Sequence, residues 1–378
     1  ARMKKVVKFG GSSLADAKQI QKAAAIIKAD PERRYVVPSA PGKRFSDDIK
    51  VTDMLYTCYD LAEQGLDFSD ALDAIQARYN DIISGLGMDF SLQAEFSEIA
   101  ENFKKRAGKD YAASRGEYLN GKVIAAYLGF PFVDAAEVIF FQPDGSLNDE
   151  KTEKVLRERL SGLENAVIPG FYGANPDGTV RTFSRGGSDV TGSLVAKAIH
   201  ADIYENWTDV SGCLICDPRI VNNPEPIKTI TYRELRELAY MGATVLHEDA
   251  IFPVRAAGIP VNIKNTNQPE DRGTMIVSES AEHCDHIITG IAGKKGMSVI
   301  NIEKDKMNSE IGFGKNVLRA LEKSNVSFEH MPSGVDTMSV VIATEALAGK
   351  ETAIIDEIKS RVHPDQIYIE SNLALIAV

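Results

Sequence analysis

Apolar residues along the chain fall into short runs that switch between strand-like and helix-like spacing. Val6-Val7-Lys8-Phe9 is a compact apolar run of the kind that forms a buried strand. It breaks at Gly10-Gly11-Ser12-Ser13, and Ile20, Ala23, Ala24 and Ile27 then line one helical face. The same order of strand, glycine turn and helix returns far downstream. A strand-like run ends at Thr182, the stretch from Ser184 through Arg185, Gly186, Gly187, Ser188 and Asp189 to Ser193 follows, and Val190, Leu194, Val195, Ala198 and Ile199 recur at helical spacing. Ser188 is a residue type that caps helices, so the spacing predicts a helix opened by it.

Further strand runs fall at 35–39, 131–134, 166–171, 202–207 and 259–263, the last expected to close the series. Residues 46–110 are mostly helical in pattern, with one helix opening at 51–55 and others over about 69–84 and 91–107. Ser114-Arg115-Gly116-Glu117 has capping-box spacing ahead of Leu119, Val123, Ile124 and Tyr127, and Thr231 to Glu234 repeats it. Pro176-Asp177-Gly178 predicts a hairpin turn. Strands alternating with helices predict an α/β fold, a mainly parallel sheet covered by helices on both faces. Ligands in such folds bind beyond the carboxyl ends of the strands. Lys8, Gly10, Ser39, Phe171, Arg185 and Thr208 all sit at or just past expected strand ends.

The texture changes from about residue 287. Strand patterns at 287–291, 297–302, 327–329 and 339–342 interleave with helical patterns at 311–321 and 348–361. This β-α-β-β-α-β order describes a small ferredoxin-like module. The expected division is therefore 1–285 and 286–378.

Composition narrows the function classes. The chain has 378 residues, 44% hydrophobic, enough for two or three domains. A net charge of -11 and no long basic run argue against nucleic acid or an anionic membrane as partner. No apolar run reaches about 18 residues, the length of a membrane span, and the N-terminus lacks a signal-peptide core. Four cysteines suit a reducing compartment, and the cytoplasm is expected. Cys213 and Cys216 form a C-x-x-C without a second pair, and His283-Cys284-Asp285-His286 reads as a solvated linker, so no metal site built from side chains is expected.

The two glycine bends carry the candidate chemistry. Glycine lets backbone N–H groups come close to an anion, and a helix start adds its positive dipole end. The loops match neither a Walker A nor a G-x-G-x-x-G pattern. Lys8 either reaches into a phosphate site as a mobile charge or snorkels to solvent. Arg185 can clamp a phosphate or a carboxylate. Asp189 repels anions, so there it suits a cation, either a metal ion or a substrate ammonium. Glu117 is either the partner of a helix cap or a ligand for an ammonium. The segment 308–314 is either a small amino-acid site or an ordinary turn in a dimerisation module.

Together, Lys8-Phe9-Gly10-Gly11-Ser12-Ser13, Ser114 to Glu117, Ser184 to Asp189, Trp207-Thr208-Asp209 and Asp217-Pro218-Arg219 resemble aspartokinase, in the family's order and over the whole chain. The C-terminal module is similar to that family's ACT regulatory domains. The resemblance implies the amino-acid kinase fold and ATP-dependent phosphorylation of the L-aspartate side-chain carboxylate to 4-phospho-L-aspartate, opening lysine, threonine and methionine biosynthesis. It implies Lys8 and Asp189 as catalytic residues. Lys8, Gly10, Gly11, Ser12, Thr208, Asp209, Leu214 and Arg219 would hold ATP, with Mg²⁺ bridging its phosphates. Ser39, Thr52, Glu117, Phe171, Arg185, Ser188 and Asp189 would hold aspartate, Glu117 at its ammonium and Arg185 at its α-carboxylate. A lysine or threonine effector would sit at Met307, Ser309, Gly312, Phe313 and Glu329, and a homodimer or larger homo-oligomer would form through the ACT modules. Departures from the family pattern fall at Leu214, Thr244 and Glu248, on the adenine side. The family usually carries two ACT modules, and this chain stops at Val378, about where the second would begin. The rival readings are another kinase of the same fold, acting on glutamate, acetylglutamate, carbamate or a nucleotide, and a non-catalytic ACT-based amino-acid sensor.

Overall fold

Side-chain alternation on the first strand sets the two faces of the main sheet. In β1 (Lys5–Phe9), Val6 enters one hydrophobic core while Val7 and Phe9 enter a second, so Lys8 faces the same side as Val6. The computed structural model describes residues 2–184, 186–243, 246, 248–278 and 287–378. The chain packs as two compact units, one of residues 1–239 and 244–290, the other of 240–243 and 291–378. The division expected at 285/286 lies outside the described residues.

In the larger unit β1 leads to α1 (Ala17–Ala29), β2 (Arg33–Pro38), α2 (Val51–Glu63), α3 (Ser69–Gly85), α4 (Gln93–Lys104) and α5 (Lys109–Leu128). Next come α6 (Asp149–Ser161), β3 (Ala166–Val167), β4 (Tyr172–Ala174), β5 (Val180–Thr182), α7 (Gly187–Ala198) and β6 (Ile203–Thr208). The unit continues through β7 (Thr229–Thr231), α8 (Tyr232–Tyr240), α9 (Glu248–Ala257), β8 (Val261–Asn265) and β9 (Thr274–Val277). Seven strands form one sheet in the order β3-β2-β1-β6-β8-β9-β7. All neighbours are parallel except β8 and β9. The mainly parallel sheet of the expected α/β fold is therefore present.

Several local expectations are corrected. The run at 259–263 does not close the sheet, because β9 follows it; β7 and β9 are only three and four residues long, and the apolar residues they carry, Ile230 alone and Met275 to Val277, are too few to show a strand period. The expected strand at 131–134 reduces to one bridge, Phe132 to Val167. The strand ending at Thr182 pairs antiparallel with β4 in a separate ribbon, turned at 175–179. Ser114 and Glu117 do not cap a helix. They lie inside α5, which begins five residues earlier at Lys109, and the Ser114 hydroxyl donates back to the Tyr111 carbonyl at 2.6 Å. Ser188 is not an N-cap either: Gly186, in the left-handed region at φ 75°, holds that position, and Ser188 is inside the first turn. The Thr231–Glu234 box does form, with the Thr231 N–H donating to Glu234 Oε1 and the Glu234 N–H to Thr231 Oγ1, each at 3.1 Å.

The smaller unit holds β10 (Ala292–Glu303), α10 (Phe313–Lys323), β11 (Thr337–Ala343), α11 (Thr344–Leu347), α12 (Glu351–Val362) and β12 (Gln366–Ala377). Its sheet order is β11-β10-β12, antiparallel throughout, over a core that includes Ile300, Val317, Val340 and Ile358. This is the ferredoxin-like ACT arrangement with one strand weakened. Residues 327–329 are not a strand; the edge is reduced to single bridges from His330 and Ser333. Residues 287–291 are not a strand either, and β10 is one long strand where two were expected.

Candidate active site

Lys8 on β1 and Asn206 on β6 are register partners on neighbouring strands, facing the core that α7 also enters. Their side chains converge on Asp189, the third residue of α7. Lys8 Nζ lies 2.7 Å from Asp189 Oδ1, and Asn206 Nδ2 donates to the same oxygen at 2.9 Å. Tyr204, two residues before Asn206, donates its hydroxyl to the Asp189 backbone carbonyl at 3.0 Å. Asp189 is thus held through both main chain and side chain. Lys8 is only 9% exposed, so the ion pair is largely withdrawn from water and stronger than a surface pair.

The first glycine bend packs against another turn. The Gly10 N–H donates to the Trp207 carbonyl at 3.0 Å, and the Gly42 N–H to the Gly11 carbonyl at 2.8 Å. A Cβ on Gly42 would lie 2.6 Å from the Gly11 carbonyl carbon, so the two backbones touch without room for a side chain. Arg78, buried on α3, fixes the second turn by donating to the carbonyls of Gly42 and, at 2.7 Å, Ile49.

The second glycine bend is wedged from below. A Cβ on Gly170 would meet Ser188 Oγ at 2.3 Å. Next to it Phe171 holds φ at 86°, a sparsely populated state for an aromatic residue, and its N–H donates to Thr191 Oγ1 at 3.0 Å. The N–H groups of Gly187 and Ser188, in the first turn of α7, have no acceptor within the helix.

Glu117 and Asn120 approach from α5, 4% and 0% exposed. Burial pushes the Glu117 carboxyl well above the usual carboxylate range, opposed in part by a backbone hydrogen bond from Ala40 and by the Arg115 charge. Asn120 Nδ2 donates to the Ser39 carbonyl at 2.8 Å. Thr52 is the second residue of α2, whose first N–H donates to the Pro41 carbonyl at 3.4 Å, so α2 starts from the same turn.

The structure therefore brings Lys8, Gly10, Gly11, Phe171, Ser188 and Asp189 to one end of the sheet, with Ser39 beside Phe9 through a 3.1 Å backbone bond. Ser12 continues the first bend in a short 3₁₀ turn. Thr208 ends β6 and donates to Asp209 Oδ1 at 3.3 Å. Arg219 turns instead to Asp217 at 2.8 Å, and Leu214 is 40% exposed; no contact among the described residues ties either to Lys8. Arg185, Thr244 and the 283–286 stretch lie outside the described residues. Asn206, Asn120, Tyr204 and Arg78 were not singled out from sequence. A polar residue in a buried run does not single out Asn206, because Glu205 beside it is polar and buried too; its place follows from its register with Lys8.

Cys213 is packed in the core, and burial pushes its thiol up to about 12; Cys58 is pushed up to about 11 in the same way. No group of three or more His, Cys, Asp or Glu among the described residues is placed to hold a metal ion. In the smaller unit Met307 and Phe313 are packed in the core, Gly312 caps α10 at φ 83°, and Ser309 bonds the Lys306 carbonyl at 2.8 Å. Glu329 accepts from the Tyr240 hydroxyl at 2.5 Å and faces Lys294 Nζ at 3.7 Å.

At one end of the sheet, then, stand a cation, two glycine bends, the start of α7, and a buried carboxyl on α5. The first three suit an anion, and the last suits an ammonium.

The amino acid kinase family model matches residues 3–265. Aspartokinase 3 of Bacillus subtilis (strain 168) is 40% identical over 394 residues, covering 99% of this chain and 86% of that protein. The crystal structure of Clostridium acetobutylicum aspartate kinase, described as an allosteric enzyme, aligns at 51% identity with a TM-score of 0.88, covering 99% of this chain and 85% of that one. Escherichia coli aspartokinase III, solved with aspartate and ADP, shares the fold at 24% identity with a TM-score of 0.69, covering 99% of this chain and 86% of that one.

Proposed function

The chain belongs to the amino acid kinase family as one of its aspartokinases, and on that premise we propose that it transfers the γ-phosphoryl group of ATP to the side-chain carboxylate of L-aspartate, giving 4-phospho-L-aspartate. The observation that carries this reading is the meeting of Lys8, Asn206 and Asp189 beside the Gly10-Gly11 bend. The attacking carboxylate is already ionised, so the reaction needs no strong base. What it needs is alignment and neutralisation of the charge on the transferring group.

Lys8 and the N–H groups of Gly11 and Ser12 take the phosphoryl group; the Gly10 N–H, expected to join them, is already given to the Trp207 carbonyl, so Gly10 shapes the bend instead. Asp189 holds Lys8 in place between turnovers. Glu117 takes the substrate ammonium, Arg185 its α-carboxylate, and Ser39, Thr52, Phe171 and Ser188 line the same pocket. Thr208, Asp209, Leu214 and Arg219 serve the nucleotide side; Arg219 would have to leave Asp217 to do so.

Mg²⁺ belongs to this reading as a companion of ATP. Asp189 Oδ1 already carries two donors, so phosphate oxygens and water would supply most of the metal's ligands. When bound, Mg²⁺ neutralises phosphate charge.

The ACT unit supports control by an amino acid, lysine or threonine, near Met307, Ser309, Gly312, Phe313 and Glu329, and assembly into a homodimer or larger homo-oligomer. With Met307 and Phe313 packed inside, the effector would meet the 309–312 backbone and Glu329. The sparse cysteines suit a reducing compartment, and the cytoplasm belongs to this reading as its place. A coupled ADP-release assay with aspartate, with glutamate and without acceptor tests the activity. Release that depends on aspartate alone is expected, and release that follows glutamate or ignores the acceptor would reject it.

A further inference from the structure

We propose that Asn120 is a second ligand for the substrate ammonium, acting beside Glu117 and setting the preference for an acceptor that carries a primary amine. The proposal rests on the aspartokinase reading above. Asn120 follows Glu117 by three residues on α5, so the two side chains share a helix face. Asn120 reaches the Ser39 carbonyl with its Nδ2, at 2.8 Å, and Ala40 lies against α5 at Gly116, the residue before Glu117, where an added Cβ would be 2.8 Å from the Ala40 Cβ. This part of α5 therefore meets the two-residue stretch just past the end of β2.

The Ser39 carbonyl fixes which way the Asn120 amide points. A carbonyl accepts only from the amide nitrogen, so Oδ1 must be the atom left over. Among the described residues, Asn120 Oδ1 and Glu117 Oε2 are both buried acceptors without a partner. Leaving two acceptors on one helix face unpaired in the interior is costly, and such pairs are uncommon unless a ligand completes them. Their chemistry selects that ligand. Two acceptors repel carboxylates and phosphates, while an ammonium carries three N–H donors and can satisfy both oxygens at once. Glu117 supplies the charge, and Asn120 supplies a second direction, which an analogue without the amine cannot use.

The test compares L-aspartate with succinate, which has both carboxylates and no amine, in the full-length wild-type chain and in Asn120→Leu. The aspartate KM should rise about tenfold, as for loss of one charge-assisted hydrogen bond. The KM for ATP and the inhibition constant for succinate should stay within about twofold, since neither ligand contacts the lost oxygen. An unchanged aspartate KM would mean that a buried water is the partner of Oδ1, and would overturn the proposal. Equal losses for aspartate and succinate would overturn it as well, showing that Asn120 only props the Ser39 turn. If Asn120→Leu does not fold, Asn120→Ser with aspartate binding followed by calorimetry gives the same comparison. A wild-type chain without aspartate-dependent turnover would instead remove the kinase reading itself.

Discussion

Lys8 and Asn206 lie side by side on neighbouring strands and share a single oxygen, Asp189 Oδ1, at 2.7 and 2.9 Å. That sharing lets the two donors do different work. On the proposed reading, Lys8 swings its ammonium toward an incoming phosphate while Asn206 keeps the carboxylate from following. Asp189 then stays at the mouth of α7, where a mobile acid would otherwise repel the nucleotide.

Asn206→Leu should therefore lower kcat about tenfold, the effect of losing one hydrogen bond to a charged group, with both KM values within about twofold. Steady-state kinetics separate the two parameters. An unchanged kcat would show that Lys8 alone orients Asp189.

Glu117 gives a prediction with a definite sign in pH. Burial raises its carboxyl well above the usual range, while in the unfolded chain it titrates near 4.3. The folded state binds the proton more tightly, so this contribution to stability is complete below about pH 4 and is lost as pH rises toward the raised folded value. Glu117→Gln, uncharged and of the same shape, removes that loss. Its Tm at pH 7.5 should exceed that of the wild type by a few degrees while aspartate turnover collapses. For the wild type, aspartate binding should strengthen as pH rises through the same window and should release a proton, seen by calorimetry in buffers of different ionisation enthalpy.

Gly170 tests the wedge under α7. In Gly170→Ala the new methyl would meet Ser188 Oγ at 2.3 Å and Ser188 Cα at 2.8 Å, so the helix start must move. Overpacking of this kind costs about 1–3 kcal/mol. Denaturant titration should show that loss, together with a raised aspartate KM. A variant as stable and as active as the wild type would mean that α7 does not depend on this contact.

The large elements were legible because their apolar periodicity is strong: β1, β2, β6, α1 and α7 all follow from it. What sequence missed was decided by tertiary contact. Ser114 to Glu117 has the spacing of a capping box, yet α5 is buried along most of its length, and packing against Ala40, Val51 and Leu55 carries the helix through those residues. Ser188 has the chemistry of a cap, but Gly186 can take positive φ and Ser188 is pressed against Gly170 instead. Lys8, Asp189 and Glu117 could be singled out as charged residues in apolar settings. Asn206 and Asn120 could not, because what distinguishes them is the partner across the sheet or across the turn, and a single sequence does not contain that register.

The thiols offer a check on the cores. Cys213 and Cys58, pushed up to about 12 and 11 by burial, should resist iodoacetamide in the native protein at pH 8, while the half-buried Cys216 reacts. Peptide mass spectrometry resolves the sites. Labelling of Cys213 as fast as Cys216 would contradict the packing of that strand region.

The most direct measurement is ADP release by Lys8→Ala at saturating ATP and aspartate, alongside the thermal transition of the same protein. A folded variant whose aspartate-dependent turnover has dropped by about a hundredfold or more is the expected result, since a positioned cation at the transferring phosphoryl group is worth at least that much. Turnover close to the wild-type rate would contradict the assignment of the Lys8–Asp189 pair as the place where phosphate changes hands.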